Sequence, residues 1–152
     1  MGAFTVADRA ALISIQPRYA QAILDGRKRV EFRKRTLAKD ISLAWVYATA
    51  PVQRVVGYFT IRQIVADAPS VLWARYGSVG CIERHDFDDY YRNSSVGYAI
   101  EIQQVWCLSD PPALNVAFPS VVPPQSFRYV GPHHHALSQI ERIQHEHALA
   151  YA

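Results

Sequence analysis

Only two cysteines, Cys81 and Cys107, occur in the 152 residues, and they have no C-x-x-C spacing. That excludes a disulfide framework and a cysteine-based zinc module. It predicts two reduced, partly buried thiols in a cytosolic protein. No apolar run reaches the roughly 18 residues that a membrane-crossing helix needs. The opening Met1-Gly2-Ala3-Phe4-Thr5-Val6 lacks a basic segment followed by an apolar block, so it does not read as a secretion signal. Val6 stands where a myristoylation motif requires a hydroxyl. Internal repeats and low-complexity linkers are missing too. G-x-G-x-x-G, Walker A, G-x-S-x-G and H-E-x-x-H are all absent, which removes the local signatures of dinucleotide binding, P-loop nucleotide hydrolysis, a nucleophile elbow and zinc proteolysis. Ser14, Ser42 and Ser126 are therefore nucleophiles on paper only.

What is present is an ordinary globular composition. Half the residues are apolar and 12% are aromatic, enough for one domain with a real core. The expected arrangement is one domain over residues 1–152, with its core at about 12–130 and a C-terminal helix at about 136–150. The charge is modestly positive, 16 Lys and Arg against 13 Asp and Glu, with a net +3. Its clustering says more, because seven of the 16 basic residues lie between Arg27 and Lys39. Folding alone does not require that density, and an anionic partner explains it better.

Periodicity places the elements. Leu12–Ile15 reads as a buried strand. Pro17 suits a helix start, Tyr19, Ala20, Ile23 and Leu24 follow at helical spacing, and Gly26 ends it. From Lys28 to Phe32 the period becomes two. Residues 42–48, 54–66 and 96–108 read as strands, with Gly57 marking a bulge or a close backbone approach. Pro69 opens a short helix carrying Leu72 and Trp73, and a second helix is expected over residues 81–91. After a Pro-rich stretch, residues 127–130 form a closing strand. The pattern describes an α+β domain, a strongly curved sheet or small barrel with short helices on its rim.

Three constellations carry chemistry. Arg27, Lys28, Arg29, Arg33, Lys34 and Arg35 supply phosphate-binding charge, and arginine suits phosphate because its fork binds two oxygens. The same charges could instead guard an edge strand. Glu31 weighs against a purely electrostatic grip, since a carboxylate there weakens phosphate binding. It can orient a basic neighbour, accept a base amino group or move a proton. Most aromatics suit the core, but Tyr47 ends its strand just before Thr49-Ala50-Pro51, where a ring can line a pocket and stack on a base. His133-His134-His135, His145 and His147 have no zinc spacing. His85, Asp86, Asp88 and Asp89 read as a solvated acidic helix face, with a weak divalent site left open.

The run Leu12–Ala20 followed by Ile23-Leu24-Asp25-Gly26-Arg27-Lys28-Arg29-Val30-Glu31-Phe32-Arg33 resembles the opening of ASCH domains, with their pattern I-x-x-G-x-K-x-x-E-x-R. Tyr47–Pro51 followed by Val55-Val56-Gly57 looks like the second signature of that family. The resemblance extends from about Leu12 to Tyr129. It implies a PUA-like curved β-barrel with short helices on the rim, and RNA or modified-nucleoside binding beside the first helix. Lys28, Glu31 and Arg33 carry over as motif residues, with Tyr47 and Thr49 from the second signature. Some ASCH proteins are acetylcytidine amidohydrolases with Thr three residues after the motif lysine, where this chain has Glu31. RNA cleavage is also attributed to family members.

These readings combine into one expectation. Lys28 and Glu31 form the catalytic pair if the chain is an enzyme, acting on RNA as a ribonuclease or on a modified nucleoside. Arg27, Arg33, Lys34, Arg35, Tyr47, Thr49, Ser126 and Arg128 bind the ligand. The alternative is a regulatory or protein-interaction module without catalysis. No cofactor or bound metal is expected, with divalent dependence left open. The partner is RNA or a nucleotide, not a membrane, the location is cytoplasmic, and the chain is a monomer or homodimer. Lys28 and Glu31 have opposite parity, so a regular strand cannot turn both into one cleft.

Overall fold

The computed structural model describes residues 9–131 and the backbone of residues 148–150. Ala10–Ile15 (β1) and Leu43–Ala48 (β3) run parallel in the middle of the sheet and are buried along their whole lengths. Near-continuous apolar runs suit strands covered on both faces. Their alternate residues divide between two cores. Leu12, Trp45 and Tyr47 pack with Tyr58, Leu114 and Phe118. Ile13, Ile15, Val46 and Ala48 pack with Ala20, Ile23 and Phe59. The first set is covered by the Pro-rich segment, through Leu114–Ala117 (α4) and Val121. The second includes Ala20 and Ile23 of Pro17–Leu24 (α1).

Two long strands, Arg54–Asp67 (β4) and Gly97–Cys107 (β5), extend the sheet, and short Val30–Arg33 (β2) and Phe127–Val130 (β6) end it, in the order β2-β5-β4-β3-β1-β6. Register shifts along β4 against both neighbours bend it. Beyond β2, Pro69–Tyr76 (α2) and Arg84–Tyr90 (α3) bury a third core of Val30, Phe32, Leu72, Tyr76, Phe87 and Tyr91.

Among the described residues no ladder joins the end strands β2 and β6. Side chains staple them instead. Arg33 Nη2 donates to Ser126 Oγ at 2.6 Å, the Ala38 amide donates to Tyr129 Oη at 2.9 Å, and Arg35 lies 5.4 Å from the centre of the Phe127 ring. The sheet is thus a curved barrel with one seam closed by side chains, and the strand assignments expected from periodicity match within two residues.

Two expectations change. The helix expected over 81–91 begins at Arg84, because Cys81 holds a left-handed φ of 50° that no α-helix accommodates. Residues 136–147 of the expected C-terminal helix lie outside the described residues. Its last three, Ala148–Ala150, form a strand (β7) on β5, pairing Gln104–Trp106. β2 covers β5 only along Tyr98–Glu101, so the backbone beyond it offers an open edge that a strand can satisfy and a helix cannot. No helix among the described residues is long and apolar enough to cross a membrane.

Gly57 meets both parts of its expected role. It sits beside the bulge at Val56, and a Cβ there would lie 2.4 Å from the Trp106 carbonyl oxygen and 2.7 Å from Leu24 Cδ2. The backbone oxygen cannot move without breaking the β4–β5 ladder. Gly57→Ala therefore costs roughly 1–3 kcal/mol by urea unfolding. A loss below about 0.5 kcal/mol would show that β4 and β5 separate more easily than this packing implies.

Candidate functional site

A cleft of about 500 Å³ opens where the seam meets the carboxyl ends of β1 and β3, a volume suited to a nucleotide-sized ligand. Ser14, Ile15 and Thr49 form its floor. Gln16, Arg18 and Tyr19 from the start of α1 form one wall, Glu31, Phe32 and Arg33 of β2 another, and Asp86, Asp89 and Tyr90 of α3 close the side.

Lys28 reaches this cleft because it does not belong to β2. Gly26, with φ 82°, turns the chain at the end of α1. The amides of Arg27 and Lys28 then both donate to the Ala22 carbonyl, at 3.1 and 3.0 Å. Lys28 is folded back under the helix before the strand starts at Val30. The parity conflict with Glu31 is removed by this turn, and both side chains line one cavity.

The ammonium of Lys28 is only 3% exposed with its residue. Nζ donates to the Gly80 carbonyl at 2.5 Å, lies 5.1 Å from the Tyr19 ring centre and 3.8 Å from Glu31 Oε1. An ammonium has three donors. One is used on Gly80, and Glu31 is beyond hydrogen-bond length, so donors remain for a ligand. Glu31 is held on its other oxygen, where Arg33 Nη1 donates to Oε2 at 2.9 Å. Arg33 also reaches Ser126 across the seam, and its backbone carbonyl accepts from Tyr91 Oη at 2.9 Å. Ser14 Oγ is spent on the Pro124 carbonyl at 2.6 Å, so it is occupied as a structural donor.

Burial pushes the Lys28 pKa below the ordinary lysine value. Glu31 and Cys81 pull it back up, and Arg33 pushes it further down. Burial also raises the phenols of Tyr19 and Tyr90, keeping both as neutral rings.

The expected site residues divide clearly. Lys28, Glu31, Arg33 and Thr49 meet in the cleft, and Ser126 joins them through Arg33. Lys34 lies over the Tyr90 ring at 4.6 Å and Arg35 over Phe127, both exposed on the rim. Arg27 is exposed and paired to Asp25, and Arg128 points outward from β6, so neither lines the cleft. Tyr47 is corrected. It pairs with Ser14 in register, but it is 4% exposed and packs with Trp45 and Tyr58 beneath the Pro-rich segment. The aromatic walls are instead Tyr19, Phe32 and Tyr90. The sequence signal for Tyr19 is an aromatic in the first turn of the Pro-led helix. Of the acidic set on α3, Asp86 and Asp89 line the cleft. No group of three or more metal-binding side chains occurs among the described residues.

No protein-family profile matches the chain. It is 37% identical over 87 residues to the ASCH domain-containing ribonuclease of Zymomonas mobilis, covering 57% of this chain and spanning 59% of that relative's length. It is also 28% identical over 120 residues to ribosomal protein uL22 of Ureaplasma parvum, but spans only 38% of that protein. Crystal structures of the Zymomonas mobilis ASCH protein and of a point variant superpose with a TM-score of 0.77 at 28% identity, covering 89% of this chain and 95% and 98% of theirs.

The lowered Lys28 pKa makes stability depend on pH. The unfolded chain holds the Lys28 proton up to the ordinary value of about 10.4, and the folded chain releases it earlier. Stability therefore rises with pH between the folded and unfolded values, and the penalty is fully present below the folded one. Lys28→Met removes that penalty while Arg33 still pairs Glu31. The variant should match or exceed the wild type at neutral pH, by up to about 2 kcal/mol, with the gap closing as pH rises through that interval. Urea unfolding across pH checks this. A variant several kcal/mol weaker at every pH would mean that Lys28 is a net stabiliser.

Proposed function

We propose that this chain, which belongs to the ASCH-domain family, binds single-stranded RNA in the seam cleft and cleaves it there. The observation that carries the reading is a buried ammonium, with donors to spare, held beside a carboxylate in a nucleotide-sized cavity. The resemblance to the Zymomonas ribonuclease supports the reaction class.

In this reading the phosphodiester sits on Lys28. The ribose 2′-hydroxyl attacks phosphorus, and its proton passes to Glu31 Oε1, the oxygen that Arg33 does not occupy. Negative charge grows on the non-bridging oxygens, where protonated Lys28 donates in a dry site and gains strength from the low dielectric. The P–O5′ bond breaks, the departing oxygen takes a proton from water, and Glu31 returns the proton it accepted to the solvent, leaving a 2′,3′-cyclic phosphate and a free 5′-hydroxyl. Arg33 holds Glu31 in place and does not touch the substrate. Tyr19 and Tyr90 stack on bases. Lys34 and Arg35, one step along the rim, take flanking phosphates. The two unpaired thiols fit action in the cytoplasm.

An end-labelled single-stranded RNA oligomer supplies the test. Lys28→Ala should lower the cleavage rate by about 10²–10³-fold, the usual cost of removing one donor to a developing oxyanion, and leave RNA affinity within a few-fold. A substrate with one 2′-deoxy residue at the cleavage position should bind and stay intact. Cleavage by Lys28→Ala at the wild-type rate, or cleavage of the deoxy position, would rule the mechanism out. Affinity should also fall with salt, and less steeply for Arg35→Ala, which gives up one phosphate contact.

A further inference from the structure

The charged groups of the cleft already have partners. Lys28, Glu31 and Arg33 form one network. Arg18 pairs with Asp86 at 3.5 Å, and Asp89 pairs with Arg92. Three neutral side chains in the same lining, Gln16, Thr49 and Gln125, have no hydrogen-bond partner among the described residues. Another polar cluster is closed on itself by comparison. There Tyr76 and Gln63 donate to Glu101 at 2.5 and 3.0 Å, and Arg62 and Arg75 lie 3.7 Å from it.

The three neutral residues stand in a row across adjacent strand ends. Ile15 of β1 is in register with Ala48 of β3, so Gln16 and Thr49 leave neighbouring strands at one level. The Thr49 amide donates to the Ile15 carbonyl at 3.0 Å, which ties the two exits together. The Gln16 carbonyl accepts from the Tyr19 and Ala20 amides that begin α1, at 3.0 and 2.9 Å, while its side chain caps nothing. Gln125 is held on the β6 flank of β1 by a bond on either side of it. Ser14 Oγ donates to the Pro124 carbonyl at 2.6 Å, and the Ser14 amide donates to the Ser126 carbonyl at 2.9 Å. The backbone of all three is thus fixed before a ligand arrives, which lowers the entropy cost of binding.

A primary amide offers an acceptor and two donors in one plane. A phosphate presents acceptors only and leaves the amide oxygen unmatched. A nucleobase edge presents a donor beside an acceptor, which an amide meets with two bonds. Glutamine pairs with adenine in this way, and a carboxylate accepts from the cytosine amino group. Asp86 and Asp89 supply carboxylates on the α3 side of the cleft. The keto oxygen of guanine or uracil would meet them acceptor to acceptor.

We propose that Gln16 and Gln125, flanked by Thr49, read the edge of one nucleobase in the cleft and select the amino bases, adenine and cytosine, over the keto bases, guanine and uracil. This rests on the reading of the cleft as a nucleic-acid site and names the base that the site accepts.

The probes are oligodeoxynucleotides that are abasic except at one position, which carries adenine, cytosine, guanine or uracil, with affinity read by fluorescence anisotropy. The wild type should bind the adenine and cytosine probes about tenfold tighter than the other two, as one bidentate contact implies. Gln16→Met/Gln125→Met keeps the side-chain length and removes both amides. It should bind all four within about threefold of one another, by losing affinity for the amino bases. Each single variant should lose part of the preference, and the two serve as the test if the double variant does not keep the wild-type unfolding midpoint. Equal affinities in the wild type, a preference for keto bases, binding of none of the probes, or a preference that survives in the glutamine variants overturns the proposal. Cleavage is scored separately, at a single ribonucleotide placed at the base-bearing position. Lys28-dependent cleavage without base preference leaves the ribonuclease reading standing and overturns this inference. A preference that the glutamine variants abolish, without cleavage, sustains this inference while the ribonuclease reading falls.

Discussion

Arg33 is the residue on which the rest of the architecture depends. From the end of β2 it donates to Glu31 on its own strand and to Ser126 across the seam. The first bond fixes the carboxylate beside Lys28, and the second brings β2 to the strand at the far end of the sheet. One guanidinium thus ties the seam and steadies the carboxylate beside Lys28, and the Ala38–Tyr129 bond and the Arg35–Phe127 contact complete the seam. Its planar fork is what allows two partners at once, and a lysine in its place could supply neither the geometry nor the permanent charge.

The seam explains why the cleft is where it is. A fully laddered barrel would fill this gap with backbone hydrogen bonds and side chains. Here the end strands are short and joined by side chains, and the space between them remains open to a ligand. The burial that makes Lys28 chemically useful is supplied by neighbours with other tasks. Phe32 belongs to the core under α2 and α3, Tyr19 to the first turn of α1, and the Gly80 carbonyl to the turn after α2. Gly80 itself has no room for a side chain, since a Cβ would lie 2.6 Å from the Phe32 ring. Positioning a charge in this way costs stability, and the Glu31 carboxylate offsets part of that cost.

Much of this was legible in the chain. The strand periods, the Pro-led helix and its glycine stop follow from local physics that tertiary contacts did not override. The spacing from Gly26 through Lys28 and Glu31 to Arg33 marked three residues that line one cleft, because a turn and a short strand fix their separation. What stayed hidden depends on contacts distant in sequence. Tyr47 looked like a pocket residue at a strand end, yet its direction is decided by the Pro-rich segment that covers that face. Tyr90 enters the cleft only because α3 packs Phe87 against Phe32, at 4.9 Å between ring centres. The pairing of Arg33 with Ser126 joins residues 93 positions apart, and no local pattern announces it. Glu101, Arg62 and Arg75 were scattered in the same way over β5, β4 and α2.

The central claim is that the fold holds a buried lysine in the cleft, its pKa lowered by burial, and that an anionic ligand meets it there. Titration of the Lys28 ε-carbon by NMR tests this most directly, in the free protein and with a non-cleavable 2′-deoxy oligonucleotide bound. The account predicts a pKa below the ordinary lysine value in the free protein, shifted upward when a phosphate binds beside it. An ordinary pKa that does not respond to the oligonucleotide would contradict it.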